Sequence, residues 1–203
     1  VYIRDINNMF LVNIIKDDEA DTANDIENKP QVKWLKYCMY KLSTLSRGFK
    51  SLNGLQNCPK LQWLEVHNNN LSSLDGLQNC PNLQHLYMSK NSLSSLDNLP
   101  HFPKLHRLNI SSNNLSSLNG LQNCPNLQDL YINNNSLSSL DTLPPCPKLQ
   151  HLNILNNILS SLNGLQNCPK LQHLNISKNN LSSLNGLQNC PKLRYLDISN
   201  NKL

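Results

Sequence analysis

Cysteine is the residue of this chain whose type and spacing first suggest chemistry. Six of the seven cysteines recur at multiples of 22 residues: Cys58, Cys80, Cys124, Cys146, Cys168 and Cys190. Evenly spaced thiols suit metal binding or disulfides, but no CxxC pair is present and this interval matches no zinc motif. Phe102 occupies the same slot, so the slot is apolar. We therefore predict a row of buried, reduced thiols, and the role of Cys38, outside the row, stays open.

Histidine is the second reactive residue with a regular spacing. His85, His151 and His173 share one position of the 22-residue interval. On adjacent strands, about 4.8 Å apart, the last two could share a metal ion. Asn153 and Asn175 beside them are poor third ligands, so we predict no metal and no cofactor. No Ser, His and Asp are arranged for a nucleophile and no phosphate-binding glycine motif is present, so we predict no catalytic activity.

The interval reflects a repeat that fills most of the chain. Residues 171–192, LQHLNISKNNLSSLNGLQNCPK, return with small edits from Leu61, Leu83, Leu105, Leu127 and Leu149, and begin again at Leu193. A fixed period of this length is typical of a solenoid, in which each repeat contacts only its neighbours. The repeats therefore position every residue discussed above.

Within one repeat, numbered from its first leucine, apolar positions 4 and 6 alternate with polar ones, which predicts a strand. Asparagine at position 9 is expected to hydrogen-bond the turn of its own repeat and of the next. Positions 11, 14, 17 and 20 suit a short 3₁₀ turn, which proline at position 21 ends. Glycine at position 16 is replaced by Asn98 and Thr142 in two repeats, so we expect it to ease a turn without being required.

The pattern LxxLxIxxNxLxxLxxLxxCP resembles the leucine-rich repeats, 22-residue subclass, of the nuclear regulatory subunit of protein phosphatase 1, and more distantly those of bacterial internalins. The resemblance covers Met39 to Leu203. It implies an α/β fold: a right-handed solenoid with a parallel sheet on its concave face and short 3₁₀ or helical turns on its convex face. It also implies a protein partner bound on the concave sheet.

The chain divides into two predicted parts. Residues 1–38 are expected to form an N-terminal cap or the tail of an upstream domain. Residues 39–203 are the repeats: a worn first repeat at 39–60, full repeats at 61–192 and a truncated one at 193–203. Because the chain starts at Val1 and stops within a repeat, we expect a fragment of a longer protein.

Composition and charge bear on the partner and the compartment. The net charge of +5 is a mild basic bias, and a broken lysine row lies at position 22, so nucleic acid is an unlikely partner. No apolar run is long enough to span a membrane and no signal peptide is visible. Asn109 and Asn175 are N-x-S glycan acceptors on the sheet face, where an attached glycan would obstruct binding. We therefore predict an intracellular protein, cytoplasmic or nuclear, or one in the host cytosol if it is a pathogen effector.

The repeats are nearly identical in sequence except at the positions expected on the concave face, where they vary. Exposed Trp, Tyr and Arg dominate protein interfaces; such residues occupy positions 3 and 5, and position 7 includes His67 and Leu155. The predicted protein-binding residues are Trp63, Glu65, His67, His85, Tyr87, Arg107, Asp129, Tyr131, His151, His173, Tyr195 and Asp197. The anchor zone is expected in the repeats from Leu61 through Leu127, and the sheet from Asn153 to Asn175 is expected to matter less.

The sequence thus predicts a non-catalytic scaffold that binds a protein partner. Two alternatives stay open. In the first alternative the chain is a recognition arm of a larger protein, such as a pathogen effector, an adhesin or a multidomain signalling enzyme. In the second it is a basic scaffold for nucleic acid or anionic surfaces.

Overall fold

The protein is a stack of short parallel strands, one from each repeat. A computed structural model describes residues 40–43, 50–53, 55 and 58–203. The proposed N-terminal segment 1–38, with Cys38, lies outside the described residues. Within the described part the sheet has eight strands in sequence order: β1 (Lys41–Ser43), β2 (Trp63–Glu65), β3 (His85–Tyr87), β4 (Arg107–Asn109), β5 (Asp129–Tyr131), β6 (His151–Asn153), β7 (His173–Asn175) and β8 (Tyr195–Asp197).

The predicted strand register is confirmed at every pair. Each strand residue pairs with the residue 22 positions later, so Leu64 lies beside Leu86, and Leu86 beside Leu108. Side chains at equivalent positions therefore form straight rows across the sheet. Parallel strands joined by crossovers wind right-handed, and the chain forms the expected leucine-rich repeat solenoid with a concave sheet and 3₁₀ turns on the convex side.

The core lies between the sheet and the convex turns. The repeat from Leu105 shows its composition, because its seven apolar positions are all buried: Leu105, Leu108, Ile110, Leu115, Leu118, Leu121 and Cys124. Burial of this kind stabilises a solenoid by about 25 cal/mol per Å² of apolar surface. The six described cysteines and Phe102 occupy one slot of this core, which confirms the prediction that the slot is apolar.

An asparagine ladder holds the turns after β2 to β8, although its bonds between repeats run opposite to the expected direction. The Asn91 side-chain amide donates to the Met88 carbonyl of its own repeat and to the Val66 carbonyl of the preceding repeat, both at 3.0 Å. Its oxygen accepts from the backbone N–H of Leu71, also in the preceding repeat. The bonds of Asn91 outside its own repeat all go to the preceding repeat, so the expectation that Asn serves the next repeat is wrong.

The residue before each ladder asparagine is left-handed. Position 8 has φ between 54° and 57° in seven repeats, at residues that include Lys90, Ser112 and Lys178. Non-glycine residues rarely adopt this conformation, and the sequence gives no signal for it at a lysine or serine. The turn directs position 9 inward, where its amide reaches the buried carbonyls.

Two kinds of convex turn occur in the described repeats. In four repeats a 3₁₀ turn of sequence LQN follows a glycine with φ from 101° to 111°. The repeats with Asn98 and Thr142 lack that turn, and the Thr142 hydroxyl accepts the Leu118 backbone N–H at 2.9 Å instead. The expectation that glycine is dispensable is therefore wrong for the first kind. The substitutions in the other repeats occur with a different backbone.

Candidate functional site

The predicted site residues all lie on the outward face of the sheet. In β1 to β7 the central leucine is buried in the core, and the residues on either side of it, at positions 3 and 5, face outward. Eleven of the twelve residues occupy these two rows, and His67 follows β2 at position 7. The face is thus continuous across all eight described strands.

An aromatic cluster occupies the face at β2 and β3. The Trp63 ring lies 4.5 Å from the His85 ring and 5.2 Å from the Tyr87 ring, measured between centroids. On its other side the Lys41 ammonium lies 4.4 Å above the indole. Such ring pairs and cation–π contacts each contribute about 1 kcal/mol. Lys41, which sequence reasoning did not select, therefore belongs to the site, and its place at position 3 of the repeat is the signal that was available.

Glu65 joins this cluster to β1. Its carboxylate accepts hydrogen bonds from the Trp63 indole N–H at 2.7 Å and from the Ser43 hydroxyl. Burial raises the pKa of Glu65, but the bonds from Ser43 and Trp63, with the charge of Lys41, outweigh it and hold this pKa below its usual value. Glu65 is therefore a fixed negative charge beside a fixed indole.

His85 sits between the aromatic cluster and a cation. Burial, with the charge of Arg107 next, lowers the pKa of His85. Its Nδ1 atom is buried and has no hydrogen-bond partner among the described residues. The ring is therefore a neutral contact surface with one unused polar atom.

A charged bridge crosses the middle of the face. Asp129, only 8% exposed, accepts from Arg107 Nε at 2.9 Å and Nη2 at 2.8 Å. Its other oxygen contacts His151 Nδ1. Hydrogen bonds to Asp129 first, and then to Tyr87, raise the pKa of Arg107. The expected pairing of Arg107 with Asp129 is present, whereas its extension to His151 was not predicted.

Two grooves on this face are lined by residues that the structure describes. One, about 400 Å³, is lined by residues of β2 to β4 and the loops after them: Glu65, His67, Asn68, Tyr87, Ser89, Lys90 and Asn109. The other, about 210 Å³, spans β5 to β8 and is lined by Tyr131, His151, Leu152, Asn153, His173, Leu174, Asn175 and Tyr195. The second groove lies where the sequence predicted the less important part of the sheet. Lys90 and Asn109 line the first groove and were missed, although Asn109 belongs to the outward row at position 5.

A row of rings lines the second groove. His151 and His173 have ring centroids 4.6 Å apart, and Tyr195 stacks on His173 at 6.0 Å. The Asn153 and Asn175 side-chain oxygens accept backbone N–H groups from Leu155 and Ser177. The two asparagine side chains in this groove are therefore held by the backbone of the strand ends.

The cysteines and lysines lie away from this face. The six described thiols are free and buried, and burial, followed by the charge of a neighbouring thiol, raises the pKa of Cys80 and Cys124 to about 12. The position-22 lysines are exposed, and Lys104 Nζ donates to Asn82 Oδ1 at 2.7 Å.

In the part of the chain that the structure describes, no group of three or more His, Cys, Asp or Glu is placed to hold a metal. No helix there has the length and apolarity needed to cross a membrane.

A parallel sheet with one strand per 22-residue turn and an internal asparagine ladder defines a leucine-rich repeat domain. Residues 92–201, 110 of the 203, match the family described as the Endo-beta-N-acetylglucosaminidase EndoS LRR domain, and residues 59–101 match the family described as Leucine Rich repeats (2 copies). The chain belongs to the leucine-rich repeat family. A comparison with curated proteins found no match.

Solved structures support the same fold. The chain is similar to the internalins InlF and InlC2 of Listeria monocytogenes, with 21% and 24% identity and TM-scores of 0.78 and 0.79. These matches cover 90% and 95% of this chain, and 63% of InlF and 84% of InlC2. A chain of the LRIM1/APL1C complex matches 80% of this chain at 28% identity and TM-score 0.63, and the match covers 35% of that chain. The present chain thus spans less than two thirds of InlF.

Proposed function

We propose that the chain is a non-catalytic scaffold that recognises a protein partner on its concave sheet. The observation that carries the proposal is the cluster of Trp63, His85 and Tyr87, partly exposed on the one face where the repeats differ. Rigid aromatic side chains supply large contact area at a low cost in conformational entropy. The cluster is held by Glu65 and Lys41 before any partner arrives.

The relatives support a binding role. Leucine-rich repeat domains are in general protein-interaction scaffolds, and LRIM1/APL1C is described as a complex. The proposed contact surface comprises the twelve residues predicted from the sequence, with Lys41, Lys90 and Asn109 added. Trp63 and Tyr87 are proposed as its anchors, with Tyr131 two strands further on.

Trp63→Ala or Tyr87→Ala is expected to weaken the partner about thirtyfold, since truncating a hot-spot aromatic residue costs about 2 kcal/mol. Both variants should stay folded, because neither side chain belongs to the core. Trp63→Ala also removes the contacts with His85 and Lys41, so it should lower the melting temperature more than Tyr87→Ala does. The measurement is titration calorimetry with a partner identified by affinity capture on the unmodified chain.

Ile158→Ala is the matched control, because Ile158 is an exposed apolar residue outside the strands. It should bind as the unmodified chain does. Full affinity in a triple variant lacking Trp63, Tyr87 and Tyr131 would show that the partner binds elsewhere.

A second candidate is a recognition arm within a larger protein. The matched family is described as a domain of an endo-beta-N-acetylglucosaminidase, which favours this arrangement for the present chain as well. The arm would bind through the same face as the scaffold, so a binding assay does not separate these two candidates. The sequence of the full-length gene does. The broken lysine row gives no comparable support to a nucleic-acid scaffold. We further propose that the repeats belong to the 22-residue subclass that resembles the phosphatase regulator, supported by their constant period.

We propose an intracellular location with reduced thiols, or the host cytosol for an effector. Thiol titration of freshly purified, denatured protein should count seven. In the native protein Cys80 and Cys124 should react slowly, because the thiolate is the nucleophile and burial raises their pKa to about 12. A denatured count of five or fewer would mean a disulfide and would contradict the proposal.

A further inference from the structure

The second groove contains a histidine pair that belongs to the proposed contact surface but not to its anchors. His151 and His173 are register partners on β6 and β7, and their ring centroids lie 4.6 Å apart at an interplanar angle of 36°. We propose that the two imidazoles form a chelating site for a divalent transition-metal ion such as Ni²⁺ or Zn²⁺. Imidazole is a preferred ligand of both ions.

The Asp129 carboxylate orients the first ligand. A carboxylate only accepts hydrogen bonds, so the contact between Asp129 and His151 places a proton on His151 Nδ1. Nε2 of the neutral ring then carries the lone pair that coordinates a metal. Histidine ligands commonly donate their other ring N–H to a carboxylate in this way. We predicted no metal from the sequence because Asn153 and Asn175 are poor third ligands, and the contact between Asp129 and His151 was not anticipated.

Arg107 in turn fixes the carboxylate. Its Nε and Nη2 atoms both bond Asp129, at 2.9 and 2.8 Å, and Asp129 is almost fully buried. The contact with Asp129 therefore restricts the His151 ring to one orientation, whereas an unpaired surface histidine could adopt several rotamers. A chain of three contacts, from Arg107 through Asp129 to His151, prepares the ligand before the ion binds.

His173 supplies the second ligand. It is exposed, and its ring nitrogens have no hydrogen-bond partner among the described residues, so either nitrogen is available. Tyr195 stacks on its outer side at 6.0 Å and limits the directions in which it can turn. The adjoining groove of about 210 Å³ has room for water or exogenous groups on the remaining coordination positions.

His85 provides an internal comparison. It occupies the same row, but its strand neighbours are Trp63 and Arg107, so no second imidazole adjoins it. The Arg107 charge also disfavours a cation there. A metal that binds surface histidines without selection would use His85 and the pair alike.

The test is calorimetric titration of the folded, reduced chain alone with Ni²⁺, which keeps it independent of any protein partner. One ion per chain is expected, with saturable binding lost in His151→Asn and in His173→Asn. Asp129→Asn keeps both ligands and should weaken binding about tenfold. His85→Asn should bind as the unmodified chain does. Melting temperatures establish that each variant is folded.

Zn²⁺ titration followed by NMR of the histidine rings gives a second readout. The ring resonances of His151 and His173 should shift together, and those of His85 should not. Saturable binding that survives loss of both His151 and His173, or that falls equally with His85→Asn, would overturn the site. Unchanged affinity in Asp129→Asn would overturn the orienting role of the carboxylate.

Discussion

Asn113→Ala is expected to lower the free energy of unfolding by about 4 kcal/mol. The Asn113 amide donates to the carbonyls of Met88, Ile110 and Ser111, at 3.1, 2.9 and 3.3 Å, and its oxygen accepts the Leu93 N–H at 3.0 Å. Asn113 is buried, so its removal leaves the Leu93 N–H without a partner. Each of the three carbonyls loses one donor but keeps another, from Asn91, Asn135 or the Lys90 N–H. The unpaired N–H costs about 1 to 3 kcal/mol, and each further hydrogen bond lost costs about 1 kcal/mol.

Asn114→Ala is the matched control, since Asn114 is the neighbouring residue and its side chain is exposed. Its unfolding free energy should change by less than about 0.5 kcal/mol, as is usual for surface substitutions. Denaturant unfolding under reducing conditions measures both variants. A loss below about 1 kcal/mol in Asn113→Ala would mean that water replaces the ladder, and would contradict its structural role.

The strand rows were predictable because the period contains no insertion. A constant interval of 22 residues leaves one register between neighbouring strands, and Trp63, His85 and Arg107 necessarily fall in one row. The alternation of apolar and polar residues then decides which face each side chain takes. The fold and the membership of the concave face follow from these two facts alone.

The contacts within that face were less predictable, because they depend on rotamers. Position 3 holds Arg107, Asp129 and His151 in succession, and the sequence supports an Arg–Asp or an Asp–His pair equally well. The structure has both, with one carboxylate shared between two partners. The second groove was also missed. The sequence places Asn153 and Asn175 in the part of the sheet expected to matter less, but they line a groove beside His151 and His173.

The two kinds of convex turn were not predicted, because the expectation at position 16 assumed the same backbone in every repeat. Asn98 and Thr142 suggested that glycine at position 16 eases a turn without being required, since Thr disfavours a left-handed backbone. The backbone instead differs between the repeats, and only those with glycine have positive φ at position 16. A substitution pattern therefore reports on tolerance only where the backbone is shared.

Gly120→Ala is accordingly expected to lower the free energy of unfolding by about 3 kcal/mol. Gly120 has φ of 102°, where an alanine is strained by about 1 to 3 kcal/mol. Its added Cβ would lie 1.9 Å from the Leu96 carbonyl oxygen and 2.6 Å from the carbonyl carbon. These are backbone atoms of the preceding repeat, so relief requires the two repeats to move apart.

Two further substitutions at position 16 separate strain from simple loss of glycine. Gly186→Ala should be milder, because its Cβ would come no closer than 2.9 Å to the Leu162 oxygen. Asn98→Ala occupies the same position with negative φ and should be nearly neutral. Denaturant unfolding should rank the three as Gly120 the most destabilised, then Gly186, then Asn98. Equal losses at Gly120 and Asn98 would mean that the repeats share one convex turn, and would refute the distinction between the two kinds.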